Sequence, residues 1–145
     1  MALSKLSSLY MAVVADHSRH PHHHGQLEGV EAVQLHNPTC GDVISLTIKF
    51  ADDRIEDIAF AGDGCTISTA SSSMMTDAVL GKTKEEALAL ADIFSNMVQG
   101  NDDSNQALLG EAELLAGVAN FPQRIKCATL AWHALKQAIE KSDEF

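Results

Sequence analysis

Val43-Ile44-Ser45-Leu46-Thr47-Ile48-Lys49-Phe50, Ala51-Asp52-Asp53, Arg54-Ile55-Glu56-Asp57-Ile58-Ala59-Phe60-Ala61 and Gly62-Asp63-Gly64-Cys65 follow one another without a break, and together they decide the fold. The first run is rich in β-branched residues and partly alternates, as a pleated strand requires. The acidic turn after it and the second apolar run predict an antiparallel pair. A third short β-type run upstream, Gly29–His36, extends the pair to a meander. Beyond Thr66 the period becomes helical: Ser68 to Leu80 is a small-residue helix rich in Ala, Ser and Met, stopped by Gly81. Thr83-Lys84-Glu85-Glu86 matches a capping box and opens a helix to about Val98, with Ala87, Leu90, Ala91, Phe94 and Val98 along its apolar stripe.

Gly100-Asn101-Asp102-Asp103-Ser104-Asn105 is a polar loop, a short helix is expected over about Glu111–Val118, and Asn120-Phe121-Pro122 starts a last helix that runs to about Lys141. Ahead of the strands, Leu3 to about Asp16 reads as an amphipathic helix with Leu6, Leu9, Tyr10, Val13 and Val14 on one stripe. Strands first and helices after predict an α+β fold: a three-stranded antiparallel sheet with helices packed on one face. No repeat or linker interrupts the chain, so residues 1–145 are expected to form a single domain.

A chain of 145 residues, 46% of them hydrophobic, can bury a core without staples. Its net charge of −10 argues against nonspecific nucleic-acid binding and favours cationic partners, metal ions included, although acidity also simply aids solubility. No apolar run is long enough to cross a bilayer, and the first residues lack the pattern of a signal peptide. Residence in the cytoplasm, where thiols stay reduced, is the expectation. No catalytic triad, phosphate-binding glycine loop or cofactor fingerprint offers an independent enzyme reading.

The three cysteines, Cys40, Cys65 and Cys127, stand in different segments. An odd number excludes a complete disulfide framework. Three thiolates and one oxygen would complete a tetrahedral zinc or iron site, and Asp42, two residues after Cys40, is the natural oxygen donor. Cys65 precedes a helix, whose free N–H groups stabilise a thiolate, and Arg124 lies one turn before Cys127. Spacing alone leaves a second reading open, in which the cysteines are buried hydrophobes, Asp42 a turn residue and Arg124 a surface charge.

Cys40-Gly41-Asp42, the run Phe60-Ala61-Gly62-Asp63-Gly64-Cys65-Thr66-Ile67-Ser68 and Arg124-Ile125-Lys126-Cys127 resemble the IscU/NifU-like iron–sulfur cluster assembly proteins, over nearly the whole chain. Within them the sequence is similar to the SufU branch. Its segment around Thr83–Gly100 resembles that branch's extra stretch, and Lys126 stands where the IscU branch places a histidine. The resemblance implies zinc held by Cys40, Asp42, Cys65 and Cys127, with Cys40 accepting sulfur from a SufS-like cysteine desulfurase and Arg124 in support. The alternative, ranked behind sulfur transfer, is a scaffold that assembles a transient 2Fe–2S cluster on Cys40, Cys65 and Cys127 for transfer to acceptor proteins. A third reading is a purely structural zinc module.

His17, His20, His22, His23 and His24 are expected to form an exposed loop rather than a second metal site. His36 is expected close to Cys40, where it would orient ligands, and His133 on an ordinary helix face.

Overall fold

The computed structural model describes residues 2–37, 41–101, 105–120 and 122–142. In chain order these form α1 (Ala2–Arg19), β1 (Val33–Asn37), β2 (Asp42–Ala51), β3 (Arg54–Asp63), α2 (Thr66–Val79), α3 (Lys84–Val98), a 3₁₀ segment (Gln106–Asn120) and α4 (Pro122–Ser142). The sheet is antiparallel in the order β1-β2-β3, with helices on one face. Ile44, Leu46 and Ile48 of β2 point into the core beside Phe60 and Ile58 of β3. The loop between β2 and β3 is the two residues Asp52 and Asp53, because Ala51 pairs with Arg54. Strict alternation would turn Ile55 away from Ile58. A bulge between Lys49 and Phe50 leaves Glu56 unpaired, so Ile55 returns to the core face opposite Phe50.

α4 lies across β1 and β2, and α2 lies against β3. The two helices approach closely because α2 carries small side chains. Ser68, Ala70, Ser71, Ser72 and Ser73 are all buried. The Ser71 hydroxyl donates to the Ala128 carbonyl of α4 and accepts the Trp132 indole N–H at 3.1 Å. Trp132 in turn stacks on Phe94 of α3, with ring centroids 4.4 Å apart. α3 begins with the expected capping box, in which Thr83 Oγ1 accepts from the Glu86 N–H and Glu86 Oε1 accepts from the Thr83 N–H.

Three expectations need correction. α1 was expected to end near Asp16, yet it continues to Arg19, because nothing in the sequence breaks it before Pro21 restricts His20. His17 therefore belongs to the helix and is buried, not part of an exposed loop. β1 starts at Val33 rather than Gly29, since residues 28 and 29 form a turn with Gly29 at φ 75°. The short helix expected at Glu111–Val118 is a longer 3₁₀ segment, interrupted at Gly110 (φ 62°). Its buried residues Leu109, Ala112, Leu115 and Val118 recur every three positions. A 3₁₀ helix, with three residues per turn, places such residues in one row, whereas an α-helix would spread them around its axis.

Candidate metal centre

Gly62-Asp63-Gly64-Cys65 carries the chain from the sheet into α2, and both glycines are forced by close approach. A Cβ at Gly62 (φ 133°) would sit 2.1 Å from the Val43 carbonyl oxygen of the neighbouring strand. One at Gly64 would press on Ser68 Oγ at 2.9 Å and on Asp42 Oδ1 at 3.3 Å. With no side chains there, Cys65 reaches the N-cap position of α2, and its Sγ accepts the Ser68 N–H at 3.4 Å.

Asp42 opens β2, opposite Asn37 at the end of β1. Its side chain is buried, 1% exposed, between the sheet and the start of α2. Oδ1 accepts the Cys65 backbone N–H at 2.9 Å. Oδ2 is the one buried side-chain polar atom among the described residues without a hydrogen-bond partner. Burying a carboxylate oxygen without a partner is costly, so the position calls for a cation. Cys127, buried on the inner face of α4, supplies the third donor. Its Sγ accepts from Asn37 Nδ2 at 3.7 Å. The ligand atoms of Asp42, Cys65 and Cys127 all lie within 4.8 Å of one another.

Cys40 lies outside the described residues. Its neighbour Gly41 donates its N–H to the Asn37 carbonyl at 2.8 Å. Arg124 is exposed on α4, one turn before Cys127, and Lys126 is also exposed. His36 is exposed as well, and the residue that touches a ligand from β1 is its neighbour Asn37, 4% exposed. Strand alternation accounts for the difference: adjacent residues face opposite ways, and the inward place falls to Asn37. A polar residue ending a short strand just before the Cys40 loop was the available signal.

Two sulfurs and a carboxylate suit zinc, which takes thiolate and oxygen ligands in a four-coordinate site. They equally suit the thiolate-rich environment of an iron–sulfur cluster. A family model described as the NifU-like N terminal domain matches residues 9–128. The chain belongs to this NifU-like family, the one that contains IscU and SufU. Among its relatives is the iron–sulfur cluster assembly scaffold protein IscU of Streptococcus pyogenes serotype M1. It is 81% identical over 142 residues, which cover 98% of this chain and 89% of the relative. The zinc-dependent sulfurtransferase SufU of Bacillus subtilis is 47% identical over 97% of this chain and 95% of its own length. A crystal structure from Fervidobacterium islandicum, described as a scaffold candidate for iron–sulfur cluster assembly in the SUF system, superposes with a TM-score of 0.83 at 35% identity. That match covers 88% of this chain and 93% of the other. The fold is thus that of iron–sulfur cluster assembly proteins. No helix among the described residues is long and apolar enough to cross a membrane.

Proposed function

We propose that the chain accepts sulfur on Cys40 from a cysteine desulfurase and passes it on for iron–sulfur cluster assembly. Zinc would be held by Cys40, Asp42, Cys65 and Cys127. The observation that carries this reading is the partnerless, buried Asp42 Oδ2 beside the sulfurs of Cys65 and Cys127. The relative named as a zinc-dependent sulfurtransferase supports it. So does the exposed Lys126, where the resemblance to IscU would require a histidine facing the site.

Zinc, when bound, keeps thiols deprotonated at neutral pH. The Ser68 N–H points at the Cys65 sulfur and the Asn37 amide at the Cys127 sulfur, which orients both ligands. Arg124, exposed three residues before Cys127, adds positive charge at this end of α4. In the transfer itself the Cys40 thiolate attacks the outer sulfur of the desulfurase persulfide. A new sulfur–sulfur bond forms on Cys40, the bond to the partner's cysteine breaks, and the electron pair leaves as the partner's thiolate. The outer sulfur keeps its proton as it moves, so Cys40 ends as a persulfide, –S–SH. Incubation with a cysteine desulfurase and cysteine should leave the Cys40 peptide one sulfur atom heavier by mass spectrometry. An unmodified Cys40 in a folded, zinc-loaded protein would refute the reading.

A second reading is favoured by the relative named as a scaffold at 81% identity: the same side chains would assemble a 2Fe–2S cluster as cargo. It predicts cluster absorbance after anaerobic reconstitution and transfer of that cluster to an apo-acceptor. A zinc-filled site that resists iron would count against it.

A further inference from the structure

The buried end of α1 carries chemistry that the cysteine centre does not use. His17, 1% exposed, is enclosed between α1, α2 and the 3₁₀ segment. Its Nδ1 lies 2.7 Å from the hydroxyl of Ser73, a fully buried residue of α2 that also accepts the His22 backbone N–H at 2.8 Å. This contact holds the His17 ring and the His22 backbone on one atom. The ring's other nitrogen, Nε2, faces Glu111 Oε2 at 3.4 Å, too long for a charge-assisted hydrogen bond. His22 Nδ1 and His23 Nε2 both approach the carboxylate of Asp77 on α2, at 2.5 and 3.3 Å. The rings of His17 and His22 have centroids 4.5 Å apart.

We propose a second divalent-metal site, formed by His17, His22 and Asp77, with Glu111 at its rim. The ligand atoms of His17, His22 and Asp77 already lie within 4.8 Å of one another. Zinc–nitrogen and zinc–oxygen bonds would set them about 3.4 Å apart, so His22 and Asp77 must part from 2.5 Å while both close on His17, which these exposed side chains can do by rotation. With Nδ1 engaged by the Ser73 hydroxyl, which holds the ring in place, His17 would offer Nε2 to the metal. Two carboxylates balance a divalent charge, and imidazole with carboxylate selects zinc or a neighbouring first-row ion over magnesium or calcium. The donors come from α1, the loop after it, and α2, so a bound ion would fasten the end of the N-terminal helix to the core.

The purely hydrogen-bonded alternative, with His17 between Ser73 and Glu111 and His22 against Asp77, predicts no metal here. Native mass spectrometry of the full chain titrated with zinc separates the two. Wild type is expected to bind two zinc ions, and His22→Ala and Asp77→Asn one each. The first ion belongs to the cysteine centre, so failure there would remove a different equivalent. His20→Ala, in the same stretch but outside the cluster, should retain two. The second equivalent should also raise the melting temperature of wild type and leave that of Asp77→Asn, which keeps the carboxylate's shape, unchanged. A single zinc in wild type that both His22→Ala and Asp77→Asn retain, or two retained in both variants, would overturn the proposal.

Discussion

Replacing Asp42 with Asn separates what a buried carboxylate costs from what it holds. Asp42 accepts one hydrogen bond, from the Cys65 N–H, while Oδ2 has no protein partner among the described residues. Asparagine can keep the first bond through its own oxygen and removes an uncompensated buried charge. Leaving its amide unsatisfied costs about 1–3 kcal/mol, against several for a buried ion. The metal-free variant should therefore be at least as stable as metal-free wild type. Zinc reverses the order. Loss of outer-shell partners alone weakens metal sites by about 10–100-fold, so loss of an anionic ligand should reach at least the upper figure, or about 2.7 kcal/mol. Because a ligand stabilises the native state through its affinity, the same amount disappears from the zinc-dependent stability. For a chain of this size that is a drop of about 8 °C in the zinc-induced rise in melting temperature. Thermal unfolding in chelator and in buffered zinc measures both quantities. An unchanged zinc increment would refute Asp42 as a ligand, and a metal-free variant melting well below metal-free wild type would refute the cost assigned to its carboxylate.

Gly62→Ala places a methyl 2.1 Å from the Val43 carbonyl and should cost more than about 2 kcal/mol, measured by urea unfolding, because the positive φ and the clash add. Ser71→Ala orphans the buried Trp132 indole N–H and should cost about 1–3 kcal/mol. The chain's single tryptophan reports its unfolding by fluorescence, and a loss within about 0.5 kcal/mol would contradict the role given to that hydroxyl. Desolvation on α4, and secondarily the charge of Lys136, hold His133 below the usual histidine range. The unfolded chain then binds a proton that the native chain resists, so this residue's contribution is intact above about pH 6.5 and is lost as pH falls through its folded value. His133→Gln should flatten the decline of melting temperature between about pH 7.5 and pH 5.5, and an unchanged slope would contradict it.

The sheet and the two capped helices could be read from the chain because they rest on local signals: β-branched runs, a two-residue acidic turn, and the Thr83–Glu86 capping box. What escaped depends on tertiary context. The bulge at Glu56 resets alternation only because Ile55 is drawn to the same core as Ile58. His17 reads as polar and belongs outside by composition, but α1 continues past it and Ser73 receives its ring. The period of three from Leu109 to Val118 was present in the sequence and distinguishes 3₁₀ from α. At the metal centre, Asp42, Cys65 and Cys127 were identifiable as donor types. Their nearness, the lone oxygen of Asp42 and the part played by Asn37 became visible only once β1 and β2 were paired under α4.

Alanine release by a cysteine desulfurase tests sulfur acceptance most directly, because each turnover that frees alanine leaves a persulfide that must be unloaded. Zinc-loaded wild type should stimulate release strongly, and Cys40→Ala, folded and still zinc-bound, should not. Absence of stimulation by folded, zinc-loaded wild type, or equal stimulation by Cys40→Ala, would contradict sulfur transfer through Cys40.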